Sequence, residues 1–342
     1  MGFCPHSVHS LRFYSPRLRN CGSFLGMTPR LIDTERYFGW TVDFTQPVGE
    51  PAFSNPDSVS WRVFKNPVVL AIGGICAVLL EFADARIRSG VWDHSTFRTD
   101  PVGRSKRTGL AAMIGVYGPQ SVARRVIQGV TNLHAQVEGK TPDGEAYHAL
   151  DADLMDWVSA TAHYGFLTAY HRYAEPLSDA DQMRYFRDGG AVADLYGVKQ
   201  PLRSWADFDV QLQARMNRFE PHPIVHEFLE IMASGRAAPQ IPKRFHKALV
   251  RAAVDIVPTG VRERLEIGRE YDLSWRAQTA VNAMVGVAER LPNLNSPAAQ
   301  ASERLGLPRS YLWRSPPTQA RMLAQARIGA KPLSLRQGRR PW

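Results

Sequence analysis

The side chains best suited to acid–base or metal chemistry in this sequence are its histidines at 94, 134, 163, 171, 222 and 226. His222-Pro-Ile-Val-His226 has the i, i+4 interval that brings two imidazoles onto one helix face for a metal ion. Pro223, however, predicts a helix that starts between them and leaves His222 outside it. Ser159 and His163 lie one helical turn apart, the spacing of a nucleophile and its base, but neither a Gly-rich oxyanion loop nor a nucleophile elbow accompanies them. His134 has a different setting. Val122, Val126, Val130 and His134 follow at i, i+4 steps, so the imidazole closes an apolar stripe and is expected to point inward. Two readings follow: a core histidine bonded to a backbone carbonyl, or a ligand for a buried group.

A second unusual segment is Arg98-Thr-Asp-Pro-Val-Gly-Arg104-Ser-Lys-Arg107-Thr108, which sets four cationic residues before the apolar run Leu110–Val116. Arg104 and Thr108 are one turn apart and share a face. That face suits an anion such as a propionate or phosphate; the plainer alternative is a solvated basic helix edge.

These residues need helices to position them, and helix signals dominate. Asn66-Pro67 is a capped start, and the segment to about Trp92 is apolar almost all round in its first half, as expected of a helix crossing the core centre. Gly73-Gly74 within it permits close approach of another backbone or of a cofactor ring. Gly118-Pro119 opens the helix that ends near His134. Asp151 caps one running to about Tyr173, and Ser178-Asp-Ala-Asp181 resembles a capping box for another reaching about Tyr196. Further helical stretches are expected at about 204–218, 223–234, 243–254, 259–270 and 273–289, punctuated by prolines. No run of alternating strand residues stands out. The expectation is an all-α, single multi-helix domain with a buried central helix and an internal cofactor pocket.

Charge location argues against a nucleic-acid surface. The formal net charge is +10. Residues 1–32 hold four arginines and no acid, and residues 301–342 hold nine Lys/Arg against Glu303 alone. The body, 33–300, carries 29 basic and 31 acidic residues, so it offers no excess of cations for phosphates. The expected organisation is a basic N-terminal tail over 1–32, a helical domain over 33–290 and a basic, Pro/Arg-rich tail over 291–342. The first tail reads either as a transit-like sequence or as upstream of a true start at Met27. Three cysteines make no disulfide framework, which fits a cytoplasmic protein or, with a transit peptide, an organelle matrix. The apolar run Val68–Leu80 is too short for a bilayer, so no transmembrane segment is expected.

From about Trp61 to Ala288 the chain resembles the MpaB/rubber-oxygenase catalytic domain family, which includes latex-clearing protein. The matching stretches are Leu79-Leu-Glu-Phe-Ala-Asp-Ala-Arg-Ile-Arg-Ser-Gly-Val-Trp-Asp-His-Ser95, Phe97-Arg-Thr-Asp-Pro-Val-Gly-Arg-Ser-Lys-Arg-Thr108, Val130-Thr-Asn-Leu-His-Ala-Gln-Val-Glu-Gly139, Leu154-Met-Asp-Trp-Val-Ser-Ala-Thr161 and Pro176-Leu-Ser-Asp179, in this order and spacing. The resemblance implies an all-helical fold holding haem b through a histidine on an internal helix and using O2. It implies His134 as the axial ligand, with Arg104 and Thr108 beside the cofactor as binding and catalytic residues. Two departures accompany it: many relatives carry histidine where this chain has Asp84 and Ser159.

The resemblance therefore implies a haem-b oxygenase acting with O2 on a hydrophobic small molecule or polymer. The alternative is a non-catalytic helical protein that carries haem or a hydrophobic ligand, favoured by the changes at 84 and 159. A structural protein bound to anionic partners through its tails is a third reading.

Overall fold

The computed structural model describes residues 42–239 and 241–329; the basic stretch at 1–32 lies outside the described residues. Five helices come first: α1 (Val59–Phe64), α2 (Pro67–Phe82), α3 (Ala85–His94), α4 (Pro101–Tyr117) and α5 (Gln120–His134). A hairpin, β1 (Glu138–Lys140) and β2 (Ala146–His148), leads to α6 (Ala152–Tyr173), α7 (Asp179–Asp188), α8 (Gly190–Tyr196) and α9 (Trp205–Arg215). The remainder is α10 (Pro223–Ser234), α11 (Lys243–Asp255), α12 (Thr259–Arg264), α13 (Trp275–Arg290), α14 (Pro297–Arg304) and α15 (Pro316–Gly329). The all-α expectation is met, with one small two-stranded sheet added.

The start of α2 is fixed by Asn66, whose side-chain oxygen accepts from the amides of Val68 and Val69, and by Pro67 in the first turn. Ile72, Ile75, Leu79 and Leu80 are all buried. Each such side chain stabilises the fold by about 1.5–3 kcal/mol. The helix packs against α1, α6, α11 and α13 and forms the centre of the core. Its partner α6 runs antiparallel to it: Gly73 faces Gly165, and Trp157 Nε1 donates to the Leu80 carbonyl at 3.1 Å. At the Gly73–Gly165 crossing a Cβ on Gly73 would stand 2.7 Å from the Gly165 carbonyl oxygen. The glycine therefore serves close helix packing, and the space expected there for a cofactor ring is filled by α6 backbone.

Three expectations about elements are corrected. The segment 67–92 is two helices meeting at 112°, because Asp84 takes an extended conformation and caps α3 through the Arg86 amide. The segment 178–196 is divided at Gly189 into α7 and α8. The hairpin was missed because strands of three residues are too short for a period-2 pattern to show. Its Lys140-Thr-Pro-Asp-Gly144 loop is closed by Gly144 at φ +93° and by the Glu145 amide on Thr141 Oγ1 at 3.0 Å.

The described part of the stretch expected as a basic, Pro/Arg-rich tail, 291–329, does not behave as a tail. Instead Ala298, Ala301, Leu307, Tyr311 and Leu312 are buried in the core. Arg304, counted with the basic tail, is 1% exposed. Its guanidinium donates to the carbonyls of Glu50 (2.8 Å), Phe44 (2.7 Å) and Tyr117 (2.7 Å), tying α14 to the N-terminal segment and to the end of α4. Composition misleads here because a buried arginine needs only convergent carbonyls, which sequence does not display. No single helix among the described residues is long and apolar enough to cross a membrane.

Candidate functional site

Asp100 and Pro101 set the start of α4: the Asp100 carboxylate accepts from the Gly103 amide at 2.8 Å, and the proline occupies the first turn. Arg104 and Thr108 then fall on one face, as their spacing predicts. Arg104 Nη1 donates to Thr108 Oγ1, and the hydroxyl in turn donates to the Arg104 carbonyl at 3.0 Å. The other arginines of the segment are engaged elsewhere. Arg98 pairs with Glu227 at 3.1 Å, and Arg107 donates to Thr96 Oγ1 at 2.7 Å. Thr108 is exposed and Arg104 partly buried, so the pair sits at the solvent edge of α4.

His134 is the last residue of α5, whose Ala123, Val126 and Ile127 are buried. Val122 and Val130 are only partly buried, so the stripe leads from the core toward its margin. The imidazole is half-buried, but its Nδ1 is fully shielded and has no hydrogen-bond partner among the described residues. Burial, and after it the positive charge of Arg104, hold this histidine below its ordinary pKa, so the neutral ring dominates at pH 7. A buried, unpaired ring nitrogen costs about 1–3 kcal/mol. A core histidine that had settled on a backbone carbonyl through this atom would not carry that cost.

Glu81, in the last turn of α2, was not singled out in the sequence. Its carboxyl stands 3.3 Å from Thr161 Oγ1 of α6. Burial pushes it up to about 7, opposed by the charge of Arg104 and by the hydrogen bond from Thr161. The signal was present: Glu81 is the one charged residue in the 16-residue helix PVVLAIGGICAVLLEF. Glu81 of α2 thus meets Thr161 of α6, and Arg104 meets Thr108 along α4; the positive charge of Arg104 acts on both Glu81 and His134 of α5.

Other candidates are accounted for differently. His163 Nδ1 contacts the backbone carbonyl of Ser159 at 2.8 Å, which is ordinary helix geometry rather than a hydroxyl–base pair, and its Nε2 side is packed on Gly189. Burial lowers its pKa. His222 caps α10, its Nδ1 accepting from the Ile224 amide at 3.2 Å, which ends the idea of a helical metal pair with His226. Asp84 is buried, capping α3 and pairing with Arg86 at 2.9 Å, so its role is structural. Cys76 is buried in the core, which pushes its thiol far above the usual range and leaves it inert. An open cleft of about 460 Å³ is lined by Trp92, Ser95, Arg98, Thr99, Glu227 and Arg236, none of which belongs to the Glu81–Arg104–His134 group.

Among the described residues no three or more His, Cys, Asp or Glu converge as a metal cage. One neutral imidazole, one guanidinium and a hydroxyl are instead the donor set that suits iron carried in a macrocycle, where the ring supplies the other nitrogens. The residues present fit such a group. The family model for the ER-bound oxygenase mpaB/B′/rubber oxygenase catalytic domain matches residues 61–290, an interval that holds all five site residues. No curated protein and no solved structure matches the chain.

Proposed function

The chain belongs to the ER-bound oxygenase mpaB/B′/rubber oxygenase catalytic-domain family, and on that premise we propose that it is a haem-b oxygenase using O2 on a hydrophobic organic substrate. The observation that carries this reading is the shielded, unpartnered Nδ1 of a neutral His134 facing the field of Arg104. Neutral imidazole is the form that binds iron, and a ring nitrogen without a protein partner suits a ring held for a ligand. His134 would hold the iron, and Arg104, steadied by Thr108, would hold a propionate through its fork of N–H donors. When bound, haem supplies activation of O2. Glu81 is placed to hold or release a proton near neutral pH.

The test is the absorbance spectrum of the purified protein together with that of His134→Ala. The expected result is a Soret band in the wild type and a helical His134→Ala variant that no longer retains haem stoichiometrically. A folded variant with its full Soret band would remove His134 as the ligand. Oxygen uptake with hydrophobic substrates then separates an oxygenase from a haem carrier.

A further inference from the structure

The open cleft of about 460 Å³ shares no lining residue with the site described above and has a chemistry of its own. Its volume falls in the range of small-molecule sites, about 300–1,000 Å³. The wall is built by Trp92 near the end of α3, by Ser95, Arg98 and Thr99 of the loop leading to α4, by Glu227 of α10 and by Arg236 just after α10. Trp92 is half-buried and braced from the core side by Phe82 at 6.0 Å and Phe97 at 6.2 Å. Each guanidinium is oriented by a bond that leaves other donors over. Arg98 gives Nε to Glu227 at 3.1 Å and lies over the Trp92 ring at 5.7 Å, while Arg236 gives Nη2 to the Arg98 carbonyl at 3.2 Å. Neither guanidinium makes another hydrogen bond among the described residues, although each carries five N–H donors. Ser95 Oγ accepts from the Phe97 amide at 3.3 Å, which leaves its own hydrogen to donate. Charge on the wall is unbalanced: two guanidinium groups stand against the single carboxylate of Glu227.

We propose that this cleft binds an organic carboxylate with a flat apolar body, the carboxylate held by Arg98 and Arg236 and the body laid against Trp92. A carboxylate accepts paired N–H bonds from a guanidinium fork, and one negative charge brings the wall to neutrality. The indole offers the apolar surface that a bare inorganic oxyanion would leave unused. Glu227 sets a limit on affinity, because it competes for Arg98 and repels the incoming charge. Binding is non-covalent and does not depend on haem.

Fluorine NMR of the full chain titrated with para-fluorobenzoate tests the proposal. Para-fluorobenzyl alcohol serves as the uncharged ring and inorganic phosphate as the oxyanion without a ring. The wild type is expected to bind the benzoate, and the alcohol at least about tenfold more weakly, for want of a charged hydrogen bond. Arg236→Gln is expected to weaken benzoate binding by at least about tenfold for the same reason. Glu227→Gln is expected to tighten it, a gain that a misfolded variant could not produce. No binding to the wild type overturns the proposal, and equal affinity in Arg236→Gln removes the ligand from this cleft. An alcohol that binds as well as the benzoate overturns the anion. Phosphate that displaces the benzoate at equal concentration overturns the part given to Trp92. A Glu227→Gln affinity no higher than wild type overturns the competition for Arg98.

Discussion

Replacing Glu81 with glutamine keeps the shape of the side chain and removes its ionisation, so it isolates the cost of holding a carboxyl in this place. Burial raises the group from its ordinary 4.5 to about 7, which corresponds to about 3 kcal/mol between the two protonation states. Below the ordinary value both the folded and the unfolded chain carry the proton, and the group contributes nothing to pH dependence. As pH rises toward 7, the unfolded chain releases its proton while the folded chain keeps it, so stability falls. Above about pH 7 the folded carboxyl also ionises and the full penalty, about 3 kcal/mol, is in place. Glu81→Gln escapes that penalty. Its stability relative to wild type, from urea unfolding followed by circular dichroism, is expected to be near zero at about pH 3.5, about 1 kcal/mol in its favour at about pH 5 and about 3 kcal/mol in its favour at about pH 8.5. A difference that stays constant across that range would show that Glu81 is not held as argued here. A buried carboxyl that destabilises the fold on ionising is the kind of cost that function explains and packing does not.

Arg104→Ala is expected to lose haem retention more than Arg104→Lys, measured by Soret absorbance after gel filtration, because lysine keeps the charge and loses the fork; equal retention in all three proteins removes Arg104 from the site. Gly165→Ala brings a methyl group against the Gly73 carbonyl, and a loss of about 1–3 kcal/mol is expected from urea titration. Arg304→Ala leaves the carbonyls of Phe44, Tyr117 and Glu50 without their donor and is expected to cost at least about 1–3 kcal/mol, with thermal unfolding as the measure. A variant as stable as wild type would restore the view of the C-terminal segment as an unanchored tail.

Much of the fold is legible in the sequence because helix starts are local chemistry. Asn66-Pro67, Asp100-Pro101 and Ser178 each satisfy the first amides of their own helix, and Ser178 accepts from the Asp181 amide just as the capping-box spacing implies. The i, i+4 spacing of Arg104 and Thr108 likewise determines that they meet, since one turn of helix stacks them whatever surrounds it. The valine stripe carries His134 only part of the way inward: Val126 is buried, whereas Val122, Val130 and His134 are partly buried at the core's margin. What sequence could not decide is where separate helices put their side chains relative to one another. Only the crossing of α2 and α6, brought close by Gly73 and Gly165, sets Glu81 beside Thr161 and within the field of Arg104. Only the packing of α14 against the end of α4 and the segment at 44–50 places Arg304 on three carbonyls. Hydrogen bonds, burial and charge between distant residues depend on distances in space, and those are fixed when the helices pack.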